Sequence, residues 1–226
     1  MSNKPTKKTD LNKTWLKNRE SKSKKIRINP EYHLIVTEGT NTEPYYFEAI
    51  KREINERYRE RISVEVEGKG DNTINLFYRA KAIAEKSPNV FRHVWVVYDT
   101  DSFPAEHINR TAELCSNSAT AETEYHAIWS NQCIELWFLL HFAFFHTDID
   151  RREYWPKITD YLIGLSAGEY RKNREDMYYL LKPYLKKAIN NAKKLAKLNE
   201  GKTPAASAPG TEVYKLIEML KPYLDV

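Results

Sequence analysis

Short apolar runs alternate with amphipathic stretches through the first 150 residues of this chain, and this alternation constrains the fold more than any other feature. Each run has the length of a strand and stops at a turn or a polar residue. The predicted strands are residues 32–37, 62–66, 93–98 and 125–129. Because strand–helix–strand repeats usually join parallel strands, the sequence predicts an α/β fold. We expect a four-stranded, mainly parallel sheet with helices on both faces.

Helical periodicity fills the stretches between these strands and continues beyond them. The first predicted helices are residues 43–59, 73–86, 104–115 and a segment starting at Cys133. Beyond residue 148 no strand is predicted, and helical patterns cover residues 154–163, 177–198 and 211–224, with a loop at 201–210. Pro183 should start or kink the second of these later helices. The predicted organisation is a basic flexible arm (1–29), a metal-binding α/β domain (30–147) and a helical C-terminal region packed on it (148–226).

Charge is distributed unevenly along the chain. Residues 1–29 hold ten Lys/Arg and two acidic residues, residues 30–168 hold fourteen and twenty-two, and residues 169–202 hold ten and four. An acidic middle therefore lies between two basic flanks. Two interpretations stay open: the flanks are a solvated tail and a solvated helix face, or they bind a polyanion while the acidic middle holds metal ions.

The cysteines and the hydropathy of the sequence indicate the cellular location of the protein. Its two cysteines, Cys115 and Cys133, lack C-x-x-C or zinc-type spacing, which excludes a disulfide scaffold and a cysteine-rich metal finger. The most apolar stretch, residues 134–145, is shorter than the ~20 residues of a membrane-spanning helix. The N-terminus has no apolar export signal, so we expect a cytoplasmic protein with no membrane partner.

Acidic and polar residues follow three of the predicted strands. They are Glu38 after the first strand, Asp99 and Asp101 after the third, and Ser130 and Asn131 after the fourth. Ligands bind at the carboxyl edge of an open parallel sheet, so we expect these residues to converge there. Asp99 and Asp101 point to the same side if strand geometry persists. With Glu38 they form a hard-oxygen cluster that suits Mg²⁺ or Mn²⁺.

Each of these motifs alone also has an ordinary structural interpretation. The Asp-Thr-Asp segment can be a capped turn, and Glu38 can be a turn residue. The pattern of both motifs at strand ends of one sheet favours the metal site. The six histidines are scattered along the chain without an H-E-x-x-H motif, so the sequence predicts no competing histidine site.

Five segments of the chain resemble the RloB family. They are residues 36–47 (VTEGTNTEPYYF), 98–101 (YDTD), 130–142 (SNQCIELWFLLHF), 170–173 (YRKN) and 211–213 (TEV). The resemblance covers about residue 31 to the end and is most specific over 130–142, whereas the N-terminal arm has no part in it. The family is similar to the Toprim superfamily, the metal-binding α/β domain of topoisomerases, DnaG-type primases and OLD-type nucleases. The resemblance therefore implies a Toprim-like fold.

The resemblance also implies a function. In the Toprim superfamily a strand-end Glu and a D-x-D motif bind catalytic Mg²⁺, which implies a metal site of Glu38, Asp99 and Asp101 in this chain. RloB-like proteins are found in phage-defence loci, often beside an ATPase. The implied function is a Mg²⁺/Mn²⁺-dependent nuclease effector of an anti-phage, abortive-infection type system, controlled by an ATPase encoded nearby. Its substrate would be a nucleic acid, DNA or RNA, and homo-oligomerisation stays open.

Three further residues have two interpretations each. Glu43 can compensate charge at a helix N-terminus, or it can bind a second metal as OLD-like nucleases suggest. Glu135 lies in an otherwise apolar helix, where an ionised carboxylate should be paired or liganded, so we include it in the catalytic site. Lys172 can be a solvated lysine, or, as the family match indicates, it can neutralise a phosphate or the transition state.

Basic and aromatic residues of the flanks are candidates for contact with nucleic acid. The basic candidates are Lys24, Lys25, Arg171, Lys172 and Arg174. Trp15 and Tyr170 lie among basic residues and are the candidates for stacking on bases. Most other aromatic residues fall on apolar helix faces and are expected in the core.

Two other classes of function are weighed against the nuclease. A non-catalytic module could bind nucleic acid or dock on an ATPase, but close carboxylates without a cation would repel each other. A phosphotransfer enzyme with an aspartyl nucleophile usually places its D-x-D on the first strand, whereas here it follows the third. An ATPase is not supported, because the sequence has no G-x-x-x-x-G-K-[ST] motif.

Overall fold

The computed structural model of the chain describes residues 31–58, 62–68, 72–100 and 103–225. These residues form an α/β fold built on one five-stranded sheet with the strand order β2-β1-β3-β4-β5. The strands are β1 (Glu31–Thr37), β2 (Ile62–Gly68), β3 (His93–Asp99), β4 (Glu124–Asn131) and β5 (Gly210–Thr211). The first four strands run parallel to one another, and β5 runs antiparallel to β4. The predicted α/β class with a mainly parallel sheet is confirmed.

The predicted strand number is wrong by one. The loop predicted at 201–210 ends in β5, which pairs Thr211 with Ser130 and Gly210 with Asn131. A strand of two residues has no periodicity of its own to detect. It exists because tertiary pairing places it against β4. There the Glu212 amide donates to the Trp129 carbonyl at 2.8 Å, and the Ser130 and Thr211 hydroxyls share a buried hydrogen bond of 2.8 Å.

Eight α-helices are found among the described residues. They are α1 (Thr42–Tyr58), α2 (Thr73–Lys86), α3 (Ala105–Asn117), α4 (Glu135–Leu140), α5 (Tyr154–Gly164), α6 (Met177–Leu181), α7 (Leu185–Leu198) and α8 (Val213–Leu220). A 3₁₀ turn that contains Pro183 separates α6 from α7, because proline has no amide hydrogen to continue the helical ladder. No helix in the described ranges is both long and apolar enough to cross a bilayer.

Two apolar clusters fill the two sides of the sheet, because side chains alternate along each strand. On β1 and β3, Leu34, Val94 and Val96 pack with residues of α2 and α3 on one side. Ile35 and Trp95 point to the other side and pack with α1 and with the later helices α4 to α8. The central strands are therefore covered on both faces, as parallel strands usually are. This packing fixes the strand ends on which the polar residues lie.

Candidate metal centre at the carboxyl edge of the sheet

The two central strands place the first two carboxylates side by side. Asp99 is the last residue of β3, and Glu38 directly follows β1. The Glu38 amide donates to the Val97 carbonyl (2.9 Å), which extends the β1–β3 ladder by one bond. The Asp99 amide in turn donates to Glu38 Oε2 at 3.3 Å. Parallel register therefore brings these two acidic residues to one point of the carboxyl edge.

Glu43 reaches the same point from the first turn of α1. It is only 5% exposed, and its carboxylate lies against Gly39. A Cβ atom on residue 39 would lie 2.8 Å from Glu43 Oε1 and still closer to the second oxygen. Gly39 therefore leaves open the space that the Glu43 carboxylate occupies, and a larger residue at position 39 would displace that carboxylate. The Glu38-Gly39 pair supplies one carboxylate and makes room for another.

Glu135 begins α4 and is 1% exposed. Its Oε1 accepts hydrogen bonds from the Tyr170 hydroxyl at 2.9 Å and from Trp155 Nε1 at 3.1 Å. Just before it, the Ile134 amide donates to Asp99 Oδ1 at 2.9 Å. The start of α4 is therefore joined to the end of β3, and Glu135 is oriented by two side-chain donors.

Burial and mutual repulsion raise the pKa values of these acids. Burial, and after it the charge of the neighbouring Glu43, raises the pKa of Glu38 to about 7 against the opposing hydrogen bond from the Asp99 amide. The pKa of Glu43 is raised, first by burial and then by Glu135. Burial, followed by the charges of Glu43, Glu135 and Glu38, raises the pKa of Asp99 well above its ordinary value. The charged forms of these groups are therefore destabilised unless a positive charge lies among them.

Two cationic side chains share the cleft with the four carboxylates. Arg151 and Lys172 line the cleft, whose volume is about 310 Å³. The Lys172 side chain is exposed, and its Nζ lies 5.1 Å from the ring centroid of Trp155. The Thr42 hydroxyl donates to the Lys172 carbonyl at 3.1 Å, which fixes the backbone of this loop beside α1. The cleft thus has an acidic floor and cations that can face an anionic ligand.

The donor set fits a hard divalent cation. Carboxylate oxygens of Asp99 and Glu135 lie within 4.8 Å of each other and of Cys133 Sγ. Burial raises the pKa of the Cys133 thiol, and thiol sulfur is a soft donor that suits zinc and copper more than Mg²⁺ or Mn²⁺. The oxygen donors that remain are the type preferred by Mg²⁺ and Mn²⁺. Glu38, Glu43, Asp99 and Glu135 are the residues that can hold such an ion.

Some of the basic residues predicted to contact nucleic acid lie at the cleft, and others do not. Lys172 lies at the cleft, and Arg171 is exposed beside it. Arg174 is engaged locally: its guanidinium pairs with Asp176 at 2.6 Å and donates to the Ala167 carbonyl at 2.7 Å. The predicted residues outside the described part of the chain are Trp15, Lys24, Lys25 and Asp101.

One predicted role is wrong. Tyr170 was expected to offer its ring to a base, but it is only 8% exposed, and its hydroxyl is bound to Glu135. Burial raises its pKa, so it remains a neutral donor to that carboxylate. The ring packs against Phe138, with 6.3 Å between centroids. Tyr170 therefore positions Glu135 and is not available for stacking.

The expectation that no histidine cluster competes with the acidic site is also wrong. His93 is the first residue of β3, and His33 and His126 are the third residues of β1 and β4; the sheet brings the three together on one face at its amino edge. His33 pairs directly with His93 in the β1–β3 register. His93 Nδ1 lies 3.0 Å from His126 Nε2. The signal in the sequence was a histidine near the start of each strand, and only the register shows that these positions are adjacent.

Sequence reasoning missed Arg151 and the role of Gly39. Arg151 lies in a stretch without a motif, and its amide donates to Gln132 Oε1 at 2.9 Å. That contact joins two segments that are distant in sequence, so no local sequence pattern predicts it. The glycine was visible, but its contact with Glu43 depends on how α1 approaches the end of β1.

Together, the fold and the site define an α/β protein with an acidic, cation-suited cleft at the carboxyl edge of a mainly parallel sheet. Within that class, the chain belongs to the RloB-like protein family, whose model matches residues 33–220. Comparison with curated proteins and with solved structures gave no match.

Proposed function

We propose that this chain is a Mg²⁺/Mn²⁺-dependent nuclease and the effector of an anti-phage, abortive-infection type defence system. One observation carries the proposal: four carboxylates, at the ends of β1 and β3 and in the first turns of α1 and α4, line a single cleft together with Arg151 and Lys172. The raised pKa values of Glu38, Glu43 and Asp99 support a site that is complete only with a cation. Family membership over residues 33–220 and the Toprim resemblance of the motifs favour the same chemistry.

The residues of the cleft would have three roles: cation binding, positioning of a ligand carboxylate and stabilisation of negative charge on the substrate. When bound, a divalent cation supplies Lewis-acid activation of a phosphodiester. Glu38, Asp99 and Glu135 would hold it, with Glu43 available for a second ion. Tyr170 and Trp155 keep the Glu135 carboxylate in place through their two hydrogen bonds. Lys172 and Arg151 present positive charge to the phosphate, which stabilises the charge that develops during cleavage.

An ATPase partner would control this activity. The family resemblance implies such a partner, and an unrestrained nuclease would damage the cell that carries it. We expect weak cleavage by the chain alone and a change in activity when the neighbouring ATPase is present. Co-purification of the two proteins, followed by cleavage assays with and without ATP, tests this control separately from the metal chemistry.

The central experiment is a cleavage assay with DNA and with RNA, in Mg²⁺, Mn²⁺ or EDTA, with the partner present. Asp99→Asn and Glu38→Gln keep the side-chain shape but remove a charge, and each should abolish cleavage while circular dichroism shows a folded chain. Glu56→Gln is the matched control, because Glu56 is an exposed glutamate of α1 outside the cleft. It should leave cleavage unchanged.

Two outcomes would overturn the proposal. Equal cleavage in EDTA would remove the cation from the mechanism, and full activity of Asp99→Asn would remove the cleft from it. Cation binding without cleavage of DNA or RNA would instead favour a non-catalytic module that binds nucleic acid or docks on the ATPase.

A further inference from the structure

A second group of ligating side chains lies at the amino edge of the sheet, at the other end of the strands that carry the acidic cleft. We call it the histidine cluster: His33, His93, His126, Glu31 and Glu124. These residues lie at or near the start of β1, β3 and β4, and the register aligns His93 with both His33 and Glu124. Side-chain alternation places them on the same face as Trp95, which stacks on His126 with 4.1 Å between ring centroids.

Three atoms of this cluster lie within 3.8 Å of one another. His93 Nδ1 and His126 Nε2 are 3.0 Å apart. Glu124 Oε2 lies 3.6 Å from the first of these atoms and 3.8 Å from the second. Ligands of a tetrahedral Zn²⁺ ion at the usual bond lengths are about 3.3–3.5 Å apart. The spacing therefore matches three corners of such a site to within a few tenths of an ångström.

The surrounding hydrogen bonds point the right atoms inward. His93 Nε2 lies 3.1 Å from Glu31 Oε1, and a carboxylate only accepts, so this nitrogen carries the proton. The lone pair of His93 therefore lies on Nδ1 and points toward His126 and Glu124. A histidine that ligates through one nitrogen and donates from the other to a carboxylate is the usual arrangement around zinc.

The carboxylates are themselves held in place. Glu31 Oε2 accepts from the Tyr223 hydroxyl at 3.3 Å. Glu124 Oε1 accepts from Arg92 Nη2 at 2.6 Å, which leaves Oε2 directed to the histidines. Lys215 also lies near His126, but it forms an ion pair with Glu212. Trp95 Nε1 donates to His33 Nδ1 at 3.3 Å, so the proton of neutral His33 is on Nε2, which is buried without a hydrogen-bond partner 4.0 Å from Glu31.

Without a metal, a single proton lies among His93 Nδ1, His126 Nε2 and Glu124 Oε2. The lone pair of His93 Nδ1 and Oε2 of Glu124 face the same point, and a proton on His126 Nε2 relieves their repulsion there. A divalent ion would take the place of that proton and contact all three ligands. The side chains of His126 and Glu124 are 27% and 38% exposed, which leaves an entry path and room for water as a fourth ligand.

We propose that His93 Nδ1, His126 Nε2 and Glu124 Oε2 bind a zinc-type transition-metal ion, with Glu31 as the outer partner of His93. Imidazole nitrogens favour Zn²⁺ over the Mg²⁺ suited to the all-oxygen cleft at the opposite edge. The ion would tie the amino ends of β3 and β4 together and, through Glu31, join β1 to them. Its binding is independent of whether the carboxyl-edge cleft is a nuclease site.

Cobalt spectroscopy separates the two sites. The full chain is stripped of metal with EDTA, desalted and titrated with Co²⁺ alone. A four- or five-coordinate site with nitrogen ligands gives an intense visible absorption, whereas a six-coordinate all-oxygen site gives a weak one. We expect the intense band at one Co²⁺ per chain in the wild type and in Asp99→Asn, and its displacement by one equivalent of Zn²⁺.

Variants of the cluster should remove this band. His126→Gln should abolish it, and Glu31→Gln should weaken Zn²⁺ affinity about 10-fold or more, measured by competition with a chromogenic chelator. The matched control is His146→Gln, because His146 is exposed and lies outside the cluster. Glu124→Gln changes a residue at the surface and gives a second test of the ligand set if His126→Gln does not fold.

Thermal unfolding gives an independent measurement. Zn²⁺ at about 100 times its dissociation constant should raise the Tm of the wild type by about 5–10 °C, and that of Glu124→Gln at the same concentration by much less. The proposal is overturned if wild-type Co²⁺ shows only the weak six-coordinate spectrum. It is also overturned if the intense band survives in folded His126→Gln or Glu124→Gln, or disappears in Asp99→Asn alone.

Discussion

At the scale of single residues, Asp99 shows how a carboxylate suited to cation binding can lower the stability of the fold. Its carboxylate lies among Glu38, Glu43 and Glu135, and all three raise its pKa. A buried carboxylate in such company destabilises the fold unless it is protonated or bound to a cation. The charge that would bind a cation under the proposed function is therefore a cost to the stability of the protein without one.

Replacing Asp99 with Asn should reverse that cost. Its Oδ1 can still accept from the Ile134 amide, so the local structure should survive. At pH 8 in EDTA we expect Asp99→Asn to unfold above the wild type, by about 2–4 °C for each kcal/mol of repulsion removed. Added Mg²⁺ should raise the Tm of the wild type but not that of the variant. A Tm in EDTA below that of the wild type would contradict this view of the cleft.

Gly39 offers a second test that does not touch a charge. Gly39→Ala adds a methyl group where the Glu43 carboxylate lies, so that carboxylate must move. We expect Mg²⁺ affinity to fall about 10-fold, measured by calorimetry. Gly164→Ala is the matched control, since nothing lies within 4 Å of a Cβ built on Gly164. Equal Mg²⁺ affinity of the two variants would mean that Glu43 takes no part in the site.

At the scale of elements, α4 and the loop before α6 are joined through Glu135 and Tyr170. Tyr170→Phe removes the hydroxyl that donates to Glu135 at 2.9 Å and leaves a buried carboxylate with one donor fewer. We expect the free energy of unfolding to fall by about 1–3 kcal/mol in urea denaturation. Tyr179→Phe, at a residue that is 50% exposed, should change it by less than about 0.5 kcal/mol. Similar losses in both variants would argue against this hydrogen bond as a link between the elements.

The same scale shows what the sequence could and could not predict. Strands β1, β3 and β4 were predictable because each is an apolar run that stops at polar residues, and Glu38 and Asp99 followed from those endings. The pairing of β5 with β4, the approach of Arg151 and the meeting of His93 with His126 depend on contacts between distant segments. Local patterns record burial and turns, whereas these features are set by the register and by the packing of helices on the sheet.

At the scale of the whole molecule, the cleft should make stability depend on pH. The folded protein holds a proton on Glu38 up to about pH 7, whereas the unfolded chain releases it near the ordinary value of 4.5. Between these values the folded state binds more protons, so stability without a cation falls as pH rises from about 4.5 to 7. The raised pKa values of Glu43 and Asp99 act in the same direction.

This dependence can be measured by urea denaturation in EDTA across that range. The contribution of Glu38 should be about 2 kcal/mol after allowance for its partial exposure to solvent. Glu38→Gln should flatten the slope, and saturating Mg²⁺ should flatten it in the wild type, because a bound cation compensates the charge. Stability that rises with pH in EDTA would contradict the buried-charge description of the cleft.

The seven residues of β3 impose a constraint on how the length of this chain can vary. The strand places His93 at one edge, Asp99 at the other and Trp95 on one face between them. Deleting one residue inside it would move every later side chain to the opposite face and withdraw Asp99 from its neighbours. Natural insertions and deletions in related chains should therefore avoid β3 and collect in the connections that precede and follow it.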